Sequence, residues 1–194
     1  MTKKISALNE EKNYNESSDK ILILLEWLRT FLFVILIGLF LTVFVIQRNI
    51  IQGPSMEPTL YNKDQIFVEK ISKYFSIERG DIITLSDSET ANQETLLIKR
   101  VIGLPGENIK IESGQVYIND ELLRETYLAD GVKTYTDETL DISEITLAEN
   151  EYFVLGDNRP VSKDSRRIGP INKNQIIGKL LIKFYPFNEI GVPK

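Results

Sequence analysis

The chain has 194 residues, 42% of them hydrophobic, with 23 basic and 28 acidic side chains and a net charge of −5. The acidic excess argues against a basic nucleic-acid-binding surface, so no nucleic acid is expected as a partner. Cysteine and histidine are both absent. Their absence excludes disulfides, thiolate zinc sites, a cysteine nucleophile, a Ser-His-Asp triad and histidine-ligated metallohydrolases. Acid–base chemistry must then run on Asp, Glu, Lys or Tyr.

Residues 1–20 are polar, rich in Asn, Ser, Glu and Lys, and read as an unstructured tail. Residues 21–47 form a membrane-proximal segment and an anchor. Ile21–Leu28 carries one charge, Glu26, and Thr30–Ile46 (TFLFVILIGLFLTVFVI) is 17 residues long with none. At about 1.5 Å per residue that run spans about 25 Å, the short end of what crosses a bilayer. Trp27 and Arg29 on one side, and Gln47 and Arg48 on the other, suit interfacial anchoring. QRNIIQ lacks the small residues of a signal-peptide cleavage site, so an uncleaved anchor is expected. Lys12, Lys20 and Arg29 before the span, with Arg48 and Lys63 after it, lean toward a cytoplasmic N-terminus.

Residues 48–194 suffice for one domain. Gln65–Glu69, Asp81–Leu85, Thr95–Ile102, Asn108–Ile111, Gln115–Ile118, Tyr152–Leu155 and Ile176–Tyr185 are rich in branched and aromatic residues and bounded by turn residues. Asn108–Ile118 reads as a hairpin around Ser113-Gly114. The pattern predicts a mainly β, antiparallel sandwich or barrel. Ala129–Asn150 is acidic and sparsely apolar, and reads as a loop or small excursion.

Three segments bear chemistry. In Gly53-Pro54-Ser55-Met56-Glu57-Pro58-Thr59-Leu60, one glycine and two prolines constrain the path around a single hydroxyl. That rigidity suits a nucleophile; a turn in which Ser55 bonds the backbone is the plainer alternative. With no histidine, a neutral lysine is the available base. Neutrality near pH 7–8 needs a pKa about 3 units below 10.4, and desolvation is the main source of such a shift. Lys99 lies in Leu96-Leu97-Ile98-Lys99-Arg100-Val101-Ile102, the most apolar setting of any lysine; Lys183 in Leu180–Tyr185 is its rival. The third segment, Gly156-Asp157-Asn158-Arg159 through Ser162, Asp164, Arg166 and Arg167, is polar and turn-rich. Calcium is discounted there because the alternating ligand spacing and closing Glu are missing. Its charges suit a scaffold of ion pairs. No metal and no cofactor is expected.

Taken in this order, these segments resemble type I signal peptidases (leader peptidases, the S26 serine proteases with a Ser/Lys dyad), in their short Gram-positive-like form. Arg79-Gly80-Asp81-Ile82-Ile83 and Gly103-Leu104-Pro105-Gly106-Glu107 extend the match. The resemblance implies two antiparallel sheets forming the catalytic core and a catalytic domain on the outer side of the membrane. It implies removal of signal peptides from exported preproteins, with small residues at −3 and −1, through an acyl-enzyme. By motif position Ser55 is then the nucleophile and Lys99 the base. Ser162 orients the lysine, Asp164 pairs with Arg166, and Asp157 supports the site. Ile51, Met56, Leu60 and Ile98 line the −3 and −1 pockets. Where some members carry a serine that helps bind the oxyanion, this chain has Gly53. The insert, about residues 106–150, is short. A second expectation is lipid contact through Tyr74, Phe75, Phe184, Tyr185 and Phe187. The rival readings are a noncatalytic relative assisting surface or pilus assembly, a repressor-cleaving Ser/Lys autoprotease, and a membrane-anchored binding module.

Overall fold

The computed structural model describes residues 2–87, 95–138 and 140–193. The chain divides into two compact units, Met1–Phe44 and Val45–Lys194. The first is helix α1, Thr2–Phe40, followed by a π turn at Leu41–Val45. The helix runs through the segment expected to be unstructured. The reason lies in composition: no proline occurs in it, Gly38 is its one glycine, and Lys, Glu, Ala and Leu favour helix. Lys20–Phe40, 21 residues, is long and apolar enough to cross a membrane. The apolar run expected to continue through Ile46 leaves the helix earlier. Ile46 already begins a strand and pairs with Glu69.

The second unit is mainly β. Its strands are β1 (Ile46–Ile50), β2 (Gln65–Glu69), β3 (Ile82–Asp87), β4 (Thr95–Gly103), β5 (Asn108–Glu112) and β6 (Gln115–Ile118). They continue as β7 (Glu121–Leu122), β8 (Glu144–Thr146), β9 (Glu151–Leu155), β10 (Ile171–Asn172) and β11 (Ile176–Tyr185). Two single-turn helices, α2 (Ser72–Phe75) and α3 (Ser165–Ile168), interrupt them. The strands form two antiparallel sheets, β1-β2-β11-β3-β4-β9-β10 and β7-β6-β5-β8. The expected hairpin is β5–β6, with Ile109 opposite Ile118 and Ile111 opposite Val116. The short insert builds the whole smaller sheet. From its acidic half comes β8, which places Ile145 opposite Ile109.

Period-two alternation explains the core. On β9, Tyr152 and Val154 enter one apolar cluster while Phe153 and Leu155 enter another. Val101 and Ile102 of β4 divide between the same two clusters. A third cluster, including Ile51, Met56, Leu60, Ile66 and Ile82, underlies the loop that follows β1. One feature of β4 positions the site. It pairs with β3 along Thr95–Arg100, but with β9 only from Arg100 onward. Residues 95–99 therefore have no β9 partner, and Lys99 is at that break.

Candidate active site

Ser55 stands in the loop between β1 and β2. Ile51 N–H donates to Asp64 O (2.9 Å) and Lys63 N–H to Ile51 O (3.0 Å), closing the loop at its base. Gly53, at φ +87°, has a left-handed conformation that favours glycine, and its N–H donates to Asn62 Oδ1. Met56 and Leu60 anchor the loop in the third cluster. The expected rigid presentation of one hydroxyl is what forms.

Lys99 Nζ donates to Ser55 Oγ at 2.9 Å and to Ile98 O at 2.9 Å. The lysine is 2% exposed. Burial lowers its pKa from 10.5 to about 8, against the carboxylates of Asp164 and Asp157, which favour the charged form. At pH 7 about one lysine in ten would be neutral, against fewer than about one in a thousand for an ordinary one. Lys183, the rival, is held differently. Burial acts to lower its pKa too, but Glu189, bonded at 2.6 Å, and Asp64 outweigh it and raise it. Lys183 is thus a structural cation.

The polar segment after β9 forms a scaffold of buried ion pairs. Asp157 accepts from Arg100 Nε (2.9 Å) and Nη2 (2.7 Å), and from Thr59 Oγ1 of the serine loop. Arg100 also donates to Gly80 O (2.9 Å), which accounts for the Arg-Gly-Asp segment before β3. Asp164 takes Arg166 Nε and Nη2, each at 2.8 Å, caps α3 and accepts from Gly156 N–H (3.0 Å). The structure brings Asp157, Asp164 and Arg166 together in this segment, with both carboxylates acting on Lys99. Ser162 is adjacent, but its expected bond to the lysine is not formed. Ser162 Oγ is enclosed and has no hydrogen-bond partner among the described residues, because the Lys99 amine is turned toward Ser55 and Ile98 O.

A cleft of about 580 Å³ opens on the pair, with Ile51, Met56 and Ile98 in its lining beside Ser55 and Lys99. Leu60, expected with them, is not in that lining. It is fully buried beneath the loop, where it packs in the core. The cleft runs between residues 48–50 of β1 and 96–98 of β4. Among the described residues no group of His, Cys, Asp or Glu could hold a metal ion.

Several positioning residues escaped the sequence reading. Asn158 clamps the serine loop, its N–H donating to Ser55 O and its Nδ2 to Pro54 O, both at 3.1 Å. Gly156 packs so closely that a Cβ there would lie 2.4 Å from Ser55 O and 2.2 Å from Ser162 Oγ. Arg159, 2% exposed, is held by Glu125 and Thr134 of the insert, and the Tyr127 ring lies 4.0 Å from the Arg100 guanidinium carbon. Asn158 and Gly156 lay within a noted motif but read as ordinary turn residues. Glu125, Tyr127 and Thr134 carried no local signal.

Comparison with known proteins points to one family. The family model described as "Signal peptidase, peptidase S26" matches residues 24–185. Signal peptidase I S of Bacillus subtilis (strain 168) is 36% identical over 189 residues, covering 92% of this chain and 97% of its own. Signal peptidase I of Bacillus licheniformis is 33% identical over 193 residues, covering 94% and 98%. A crystal structure of a signal peptidase I from Enterococcus faecalis V583 is 35% identical and covers 55% of this chain and 97% of its own, with a TM-score of 0.44. The chain belongs to the signal peptidase family, peptidase S26, and is a serine peptidase.

Proposed function

We propose that the protein removes signal peptides from exported preproteins, with Ser55 as nucleophile and Lys99 as general base. The observation that carries this reading is the 2.9 Å contact between Ser55 Oγ and an amine that burial has brought to a pKa of about 8. Neutral Lys99 takes the Ser55 proton as Oγ attacks the scissile carbonyl carbon. The carbonyl oxygen becomes an oxyanion beside the Ser55 N–H. The C–N bond then breaks, and the Lys99 ammonium returns the proton to the departing amine. Water, deprotonated by Lys99, hydrolyses the ester and frees Ser55. Asp157 with Arg100 and Asp164 with Arg166 support the site, and Ser162 is placed to bond the lysine once substrate rearranges it.

The strand edges at 48–50 and 96–98 suit an extended signal peptide bound by main-chain hydrogen bonds. Ile51, Met56 and Ile98 leave room for small side chains at −3 and −1. The apolar part of α1 from Ile21 onward is the anchor, residues 1–20 are the cytoplasmic tail, and residues 48–194 work outside the membrane. Lipid is a partner of that domain. Tyr74, Phe75 and Phe187 are at least 72% exposed and Tyr185 is 42% exposed, so they are not core residues. A noncatalytic role in surface or pilus assembly would not require a serine and a desolvated lysine in contact.

The test is acylation. With the full chain in detergent, an acylating β-lactam- or lipopeptide-like inhibitor should add one adduct, located at Ser55 by mass spectrometry. Preprotein cleavage should vanish in both Ser55→Ala and Lys99→Ala. Near-normal cleavage by Lys99→Ala would remove Lys99 from the role. Vesicle flotation of a fragment lacking α1 tests the lipid contact.

A further inference from the structure

The segment 156–162 lies between two cavities. One is the cleft holding Ser55 and Lys99. The other, about 800 Å³, is larger and is used by no step above. They share no lining residue, but residues 159–162, which line the second, directly follow Asn158, whose N–H donates to Ser55 O at 3.1 Å. The second cavity is thus built on the segment that clamps the serine loop.

The chemistry of the second cavity suits a polypeptide. Of the four basic residues in its lining, Arg159, Arg166 and Arg167 are already paired with Glu125, Asp164 and Asp137, and Asp130 lies in the same lining as Lys133, so the demand for an anion is weak. Tyr135 and Val161, 60% and 58% exposed, offer apolar surface to an incoming side chain.

An acyl-enzyme reaction splits its substrate in two. The acyl half stays on Ser55, in the first cleft, and the amine half must lie on the other side until it departs. Resting on the signal-peptidase reading, we infer that the second cavity is the subsite for the amine half. Its occupant is the first few residues of the mature chain, extended, with an apolar side chain against Tyr135 and Val161. Binding there holds the scissile bond over Ser55 and increases turnover through orientation.

The test uses the full chain in detergent and two synthetic substrates with the same signal half. One ends one residue beyond the scissile bond; the other carries five more residues, one of them apolar. The longer should be cleaved with about tenfold higher kcat/KM. In a Tyr135→Ala/Val161→Ser double variant, which alters only exposed side chains, that advantage should fall to about twofold. Equal cleavage of the two substrates by the unaltered protein would overturn the subsite while leaving the peptidase intact. So would a double variant that slows both in equal proportion. If neither substrate is cleaved and Ser55 cannot be acylated, the peptidase reading fails first and takes the subsite with it.

Discussion

Replacing Lys99 by methionine should separate stability from function. The two side chains have similar length, but only one bears a proton. The folded protein holds Lys99 at a pKa of about 8 and the unfolded chain near 10.5. At about 1.4 kcal/mol per unit, the folded state carries a penalty of about 3 kcal/mol for the protonated amine. The folded pKa is the lower one, so between pH 8 and 10.5 the unfolded chain binds a proton that the folded chain has lost. Wild-type stability contributed by this group therefore rises with pH through that window, and below pH 8 the full penalty applies. Methionine has no such dependence. It forfeits the bonds to Ser55 Oγ and Ile98 O, each worth about 1 kcal/mol net. Lys99→Met should thus be inactive yet no less stable than wild type at pH 7, and its relative stability should fall by about 3 kcal/mol by pH 10.5. Thermal unfolding followed by circular dichroism at several pH values measures this as a difference in Tm that changes by about 6–12 °C. Parallel Tm curves from pH 7 to 10.5 would show that Lys99 is not desolvated, and the proposed base would be lost with it.

Three further outcomes follow from the same geometry. For a saturable peptide substrate, kcat/KM should rise tenfold per pH unit below about 8 and level above it, and Lys99→Arg should be inactive because guanidinium keeps its proton. Asp157→Asn leaves the buried Arg100 guanidinium without its counter-charge, a cost of about 3–5 kcal/mol, readable as a lowered Tm. It also removes a charge that favours protonated Lys99, so the break in the pH profile of the surviving enzyme should move down. Gly156→Ala forces a Cβ into Ser162 and the Ser55 carbonyl; it should cut the rate of Ser55 acylation about a hundredfold and, through about 1–3 kcal/mol of overpacking, lower Tm by several degrees.

Ser55 and Lys99 were each weak signals alone: a serine between a glycine and two prolines also suits a plain turn, and a lysine in a largely apolar strand also suits an edge position. What singled them out as a pair was the order of the three segments and the family they resemble; the structure then brings the two side chains within 2.9 Å. The strands were legible for the ordinary reason that their alternation is strong. Less was visible where the signal is shared with something commoner. Ile46 looked like the end of an apolar span, and only pairing with Glu69 makes it a strand. Leu60 looked like a pocket wall, but a hydrophobic residue at the end of a loop has two directions open to it, and here the core takes it. Asn158 is indistinguishable in sequence from any turn asparagine until its amide reaches Pro54 O across the fold. Glu125 and Thr134 hold Arg159 from the insert, Thr134 from a stretch read only as a loop or small excursion. Contacts between residues 25 to 104 positions apart leave no local periodicity to read.

The ion pairs have an electrostatic task besides bracing the loop. Asp164 and Asp157 both favour the charged form of Lys99, which is the form that cannot act as a base. Two bare carboxylates near a buried amine would hold it protonated well above pH 8. We propose that Arg166 and Arg100 oppose this. Each guanidinium bonds its carboxylate through two nitrogens and sets a compensating positive charge against it, while desolvation is the largest influence on Lys99. Arg166→Met should expose that balance. Asp164 keeps its bonds from Gly156 N–H and Arg166 N–H, so its position is held while its charge is no longer offset. The break in the pH–kcat/KM profile should move up by about one unit, and activity at pH 7 should fall about tenfold, recovering at higher pH. Arg166→Lys, which restores a cation without the two-nitrogen geometry, should bring back part of the shift. A purely structural role for Arg166 would instead lower activity equally at every pH and leave the break where it was, and that result would refute the proposed neutralisation.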